Sequence, residues 1–281
     1  MRLAAFAGLA ALVSLAAGAA AADAPDVHDV APGHPGVTYL DLLRQEIPDL
    51  TDNAADNQTE GHLSRLHHLL GKTNEGDPPD PVVAGYLEDV RINAGGHRRI
   101  VLLAPLGDDP DRAQGTALLG LYDDAPRPKL LAAIDVGVDR DTSLNDPAKL
   151  PLGPGDDALV TYSEHGNSEQ GYATRLLILV RDDRLRLIDS VFTLSDHGCG
   201  WERDETPVFS TRADPGRAYR RIDVVVSETL KHQSASCGDE AIPKAYARTY
   251  HGSWRWDAGT ASFKPQTREL DRLDKLNQAR F

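Results

Sequence analysis

From Val82 to Lys264 the chain is written as short runs of β-forming residues separated by Gly, Asp, Asn and Pro, and this punctuation constrains the fold more than any other feature. The runs are too short for an amphipathic helix, and several alternate at a period of two. They read as strands over residues 82–92, 98–106, 116–122, 129–138, 158–163, 172–181, 184–194, 219–229, 247–256 and 261–264. Within 219–229, Ile222, Val224 and Val226 share one face while Arg221, Asp223 and Ser227 share the other, so this strand is half-buried. Leu176, Leu177, Ile178, Leu179 and Val180 are apolar in both phases, which requires a central strand covered on both sides. Asp182 and Asp183 form the turn into the next strand. There Leu185 and Leu187 alternate with arginines until the apolar phase slips to Ile188, Phe192 and Leu194, and a slip of one residue predicts a β-bulge near Ile188.

The expected fold is therefore mainly β, an antiparallel meander of about ten strands with short N-terminal and C-terminal helices. Stretches 98–138, 157–194 and 219–266 resemble one another as degenerate three-strand repeats of about 40 residues, in a propeller-like or sandwich arrangement. Thr38 and Asp41 form a capping box ahead of Leu40, Leu43 and Ile47, with Pro48 as the stop. A second helix is read over 60–70 from Leu63, Leu66 and Leu70, and a third over 267–281 from Leu270, Leu273 and Leu276.

The first 22 residues, with Arg2, an Ala/Leu-rich stretch and Ala20-Ala21-Ala22, have the layout of an export signal cleaved near Ala22. The chain then divides into a loose leader (23–37), a helical segment with a Pro-rich linker (38–81) and a β-rich domain with its C-terminal helix (82–281). Export places Cys199 and Cys237, the two cysteines of the chain, in a periplasmic or extracellular compartment where they pair as a disulfide. A net charge of -13 with no basic cluster argues against a nucleic-acid partner. Stable membrane insertion is not expected, and a monomer is.

Candidate sites follow from residue types that converge. Ser163-Glu164-His165-Gly166 and Ser195-Asp196-His197-Gly198 repeat the same pattern after apolar strands, so Glu164, His165, Asp196 and His197 are candidate metal ligands or acid/base groups. Asp139, Asp141, Ser143 and Asn145 copy the alternating oxygens of a calcium loop, which then lacks its glycine and its bidentate glutamate. Trp254 and Trp256 alternate on one strand near Tyr250 as a candidate aromatic platform for a sugar or partner chain. A nucleophile elbow, a zinc-protease helix, a phosphate loop and a dinucleotide fingerprint do not occur, and no cofactor is expected. The reading that results is an exported, non-catalytic binding or interaction protein with a protein or glycan ligand. The alternative is an extracytoplasmic hydrolase or metalloprotein built on the Glu164/His165/Asp196/His197 group.

Overall fold

The computed structural model describes residues 24–53, 58–107, 115–234, 237 and 242–280; the expected export signal lies outside the described residues. Thr38 caps α1 (Tyr39–Leu43): its side chain accepts from the Asp41 backbone N–H while Asp41 reaches back to the Thr38 N–H. A three-stranded sheet follows, made of β1 (Thr51–Asn53), β2 (Gln58–Gly61) and β3 (Val82–Ala84). Next come β4 (Glu88–Ala94), β5 (His97–Pro105), β6 (Ala117–Asp123) and β7 (Leu130–Asp135), a four-stranded sheet. The largest sheet has eight strands: β8 (Asp141–Gly153), β9 (Asp156–Gly166), β10 (Gln170–Arg181), β11 (Arg184–Gly198), β12 (Trp201–Arg212), β13 (Arg221–His232), β14 (Tyr246–Asp257) and β15 (Ser262–Pro265). The helix α2 (Glu269–Gln278) comes last.

Within each sheet every strand pairs antiparallel with the strand next to it in sequence, so the chain is a meander broken only between β3 and β4 and between β7 and β8. Among the described residues no sheet closes into a barrel or propeller, which corrects the propeller-like alternative. The first of the three similar stretches lies in the four-stranded sheet, whereas the second and third run on in one hydrogen-bonded sheet.

Three apolar cores alternate with the sheets. On β5, Ile100, Leu102 and Ala104 face a core shared with α1 and the N-terminal segment, while Val101 and Leu103 face a second core against the large sheet. On β10, Leu176, Ile178 and Val180 enter that second core, and Leu177 and Leu179 enter a third. The strand read as covered on both sides is covered on both sides. The third core is enclosed by the large sheet itself. β11 and β12 pair only where Asp196–Gly198 meets Trp201–Arg203. Beyond this seam the strands diverge, and the half β8–β11 faces the half β12–β15 across Leu177, Leu179, Val191, Ile222, Val224, Trp254 and Trp256. Leu273 of α2 joins the same core.

Ile188 is the residue skipped in the β10–β11 register, which passes from Leu177↔Asp189 to Ile178↔Leu187, so the bulge lies where the phase slip placed it. Asp182 and Asp183 both take φ 54° in the connecting turn, the left-handed conformation that a two-residue hairpin of this hand requires. Cys199 and Cys237 form the expected disulfide. Closing a loop with a sequence separation of 38 contributes about 4 kcal/mol by the chain-entropy argument. Gly200, at φ +77°, is needed beside it, because a Cβ there would stand 2.9 Å from the Cys237 Sγ.

Two N-terminal expectations change. Residues 60–70 are not a helix: after β2 the chain stays irregular and pins itself to β7, with Asp135 N–H donating to the His67 carbonyl and Leu69 N–H to the Asp135 carbonyl. Leu63 and Leu66 still reach the first core from this path, so burial without helical geometry produced their spacing. The stretch read as a loose leader packs too, with Val27, Ala31 and His34 buried. Among the described residues no helix is long and apolar enough to cross a membrane.

Candidate functional site

At the end of the large sheet where β9 runs into β10, the third core gives way to polar side chains in the same strand phase. Arg175 stands in phase with Leu177 and Leu179, facing inward, and is half-buried. Its neighbours on that face are Tyr162 and Ser143 in register and, one pair further along, Glu164, Asp141 and Ala173. Two cavities, of about 350 Å³ and about 470 Å³, adjoin along Asp141, Tyr162 and Glu164. The smaller also reaches Arg175, Thr193, Ser195 and Glu205.

Arg175 is held by neutral groups. Its Cζ lies 4.6 Å from the centroid of the Tyr162 ring. Its Nε donates to Asn145 Oδ1 at 3.0 Å and its Nη1 to Thr193 Oγ1 at 3.1 Å. Burial pulls the guanidinium below its ordinary pKa, with the charge of nearby Glu164 acting in the opposite direction. Tyr162 donates its hydroxyl to Glu164, and burial followed by that bond pushes the phenol up to about 12.

The wall behind this cavity is a buried polar lattice. The Glu205 carboxylate accepts from the Leu194 N–H at 3.0 Å, where β11 and β12 diverge, from Asn277 Nδ2 at 2.6 Å and from Arg280 Nη1 at 3.1 Å. Arg280 Nη2 donates at 2.7 Å to Glu228, which also accepts from the Tyr246 and Tyr250 hydroxyls. These bonds fix Glu205 toward α2 and satisfy its buried carboxylate.

The repeated Ser-acid-His-Gly residues do not assemble as a group. Glu164 and His165 are adjacent on a strand and point to opposite faces, Glu164 toward Tyr162 and His165 toward Asp139. Asp196 is buried against Arg203, and His197 is exposed, its backbone N–H on the Glu169 carbonyl. Among the described residues no set of three or more His, Cys, Asp or Glu side chains could hold a metal. What forms instead is a pair that the sequence spacing did not show. His165 Nδ1 lies 3.0 Å from Oδ1 of buried Asp139, and Asp139 also accepts from the Tyr172 hydroxyl. Burial, then the bond to Asp139, pushes Tyr172 up to about 12. The His165 and Tyr172 rings stack at 5.6 Å.

The residues read as a calcium loop belong mostly to a strand. Asp141, Ser143 and Asn145 lie along β8, where successive residues advance about 3.3 Å and cannot wrap an ion. Asp139 is committed to His165 and Tyr172, and Asn145 to Arg175. The aromatic platform is corrected as well: Trp254 and Trp256 are buried in the third core. Trp254 Nε1 donates to Asp189 at 2.6 Å, Trp256 packs on Tyr219 and Phe263, and Tyr250 is turned to Glu228. Arg175 was the missed residue, and its signal was present: a charge inside β10, two residues before Leu177 in the phase that enters the third core, rather than at the strand end where Arg181 lies. Comparison with protein families, with characterised proteins and with solved structures brings no match to this chain, so its own geometry is what the functional reading rests on.

Proposed function

We propose that this chain is an exported binding protein whose ligand seat is the pair of adjoining cavities at the β8–β11 end, taking a small polar molecule or one or two units of a glycan. The observation that supports this best is the convergence of Arg175, Tyr162, Glu164 and Asp141 on cavities of about 350 and 470 Å³. Volumes of this size enclose a compound the size of one or two sugar rings. A planar guanidinium, carboxylate acceptors and the exposed Ser195 hydroxyl, which can accept a further hydrogen bond, are the mixture that reads hydroxyl-rich ligands. Tyr86, nearly half exposed, lines the larger cavity and offers an aromatic surface next to those groups.

The test is a glycan and metabolite binding screen of the protein beside its Ser195→Trp variant. Ser195 is exposed at the cavity and its hydroxyl donates to the Gly171 carbonyl, so the indole obstructs the seat without entering a core. Binding by the unaltered protein that disappears in Ser195→Trp is the expected result; binding that survives the substitution would sink the cavity as the seat.

One observation favours a second reading, the hydrolase. A histidine whose Nδ1 rests on a buried carboxylate is oriented as a general base. Among the described residues no hydroxyl contacts His165, and the Ser195 hydroxyl is given to a backbone carbonyl. Turnover of a bound glycan that vanishes in His165→Ala while binding remains would favour this reading over the first.

A further inference from the structure

The ligand class can be narrowed by asking what Arg175 lacks. A guanidinium has five N–H donors in a rigid plane. Asn145 takes the Nε–H and Thr193 takes one on Nη1, while Tyr162 covers a face of the plane. The two N–H groups of Nη2 and the second of Nη1 have no protein acceptor among the described residues, and no carboxylate lies within ion-pairing distance. The other arginines that are largely covered are treated differently: Arg203 is paired with Asp196, Arg280 with Glu205 and Glu228, and Arg91 with Asp89. In a chain with 43 acidic residues against 30 basic ones, a half-buried arginine restrained by neutral neighbours keeps its charge for something else.

We propose, resting on the cavity reading above, that the ligand carries a carboxylate which accepts from the open Nη edge of Arg175, with hydroxyls beside it that donate to Glu164 and Asp141: an acidic sugar of the hexuronate type. The rest of the lining selects this anion over others. Arg175 is the one guanidinium among the residues of the smaller cavity, and no lysine joins it. A phosphate dianion would meet the Asp141 and Glu164 carboxylates with Arg175 as the single cation of this lining, Glu205 being already paired with Arg280. A carboxylate monoanion has two coplanar oxygens that suit a guanidinium edge. Asp141 and Glu164 are acceptors only when ionised, so they reward hydroxyl donors placed next to the bound anion. The smaller cavity, about 350 Å³, accommodates one such ring, and the larger continues past Tyr162 for a linked second.

Calorimetric titration of the purified protein with sodium D-glucuronate and, separately, D-glucose tests this, together with Arg175→Lys and Arg175→Met. Arg175→Lys retains the charge and loses the planar edge; it also guards against a folding defect in the apolar variant, and thermal melting of both checks the fold. The expected result is glucuronate binding at least tenfold tighter than glucose, weakened at least tenfold in Arg175→Lys and lost in Arg175→Met. Equal binding of the two sugars, or glucuronate binding that is indifferent to both substitutions, would overturn the carboxylate assignment and leave the cavity reading standing. No heat with glucuronate would overturn the hexuronate class, whereas the cavity reading falls only if binding found in the screen survives Ser195→Trp.

Discussion

Arg280 joins two carboxylates that have no exposed surface of their own, and the pair titrates in opposite directions. At Glu205 burial prevails over its hydrogen bonds and raises the pKa. At Glu228 burial acts the same way but is outweighed by hydrogen bonds from Tyr246, Arg280 and Tyr250, so that carboxyl titrates below the usual glutamate range. A depressed carboxylate stabilises the fold above its unfolded pKa of about 4.3, and the contribution is lost as pH falls through the lower folded value. Glu205, being raised, subtracts stability at neutral pH and ceases to do so once protonated. Glu228→Gln should therefore lower stability by roughly 2 kcal/mol at pH 7, a penalty that shrinks progressively as pH falls below about 4.3 toward the lower folded value. Urea midpoints of both proteins between pH 7 and pH 3 measure this, and a gap of constant size at all pH values would contradict the assignment. At this scale the sequence was informative where the cue is local. Thr38 and Asp41 lie three positions apart and read as a cap; Asp139 and His165 lie far apart in sequence and meet only because β8 pairs with β9, with Asp141 opposite Glu164.

The bulge at Ile188 shows how one residue sets the phase of an element. Without it, residues 189–198 would each turn to the opposite face relative to β10. Asp189 would then leave Trp254 Nε1, and Val191 would leave the third core. Deleting Ile188 should abolish the near-ultraviolet dichroism of the tryptophans and send the product to the insoluble fraction, while Ile188→Val should cost only about 1 kcal/mol. A soluble deletion variant with native dichroism would show that the register is held elsewhere. Elements with apolar alternation or a continuous apolar run were readable, β11 and β13 by the first and β10 by the second. β8 and β12 were not: β8 contributes Leu150 and Leu152 to the third core but carries Asp, Asn and two prolines on a sheet edge, and β12 opens with four consecutive charged residues, 202–205, and gives only Phe209 to that core. The 82–92 run was read as one strand because it is continuously β-forming, yet it divides at Gly85-Tyr86-Leu87 between two sheets.

Across the whole molecule, the layers depend on one another through shared sheets. The four-stranded sheet has an apolar face toward the N-terminal segment, with Ile100, Leu102, Leu118 and Tyr122 buried there, and Tyr122 donates its hydroxyl to the Leu42 carbonyl at 3.1 Å. The segment up to Val82 is thus a cover for that sheet. A truncated chain beginning at Val82 should expose this face, bind the dye ANS strongly and aggregate; a soluble, cooperatively melting 82–281 fragment would show the covering layer to be dispensable. The meander could be read because its strands follow in order, but the seam between β11 and β12 could not: nothing local marks where a sheet stops pairing and turns to face itself.

The stacking order also has a bearing on time. The layers succeed one another in space in the order in which they succeed one another along the polypeptide, and each core lies between a layer and the one after it. A polypeptide emerging from a pore with its N terminus leading can complete the first core, then the second, while the remainder is still unfolded and threaded behind. The third core must wait for Leu273, and the proposed seat beside Arg175 must wait for the α2 side chains that anchor Glu205. Ligand recognition would then be the last property the molecule acquires, switched on only when its final helix has been delivered.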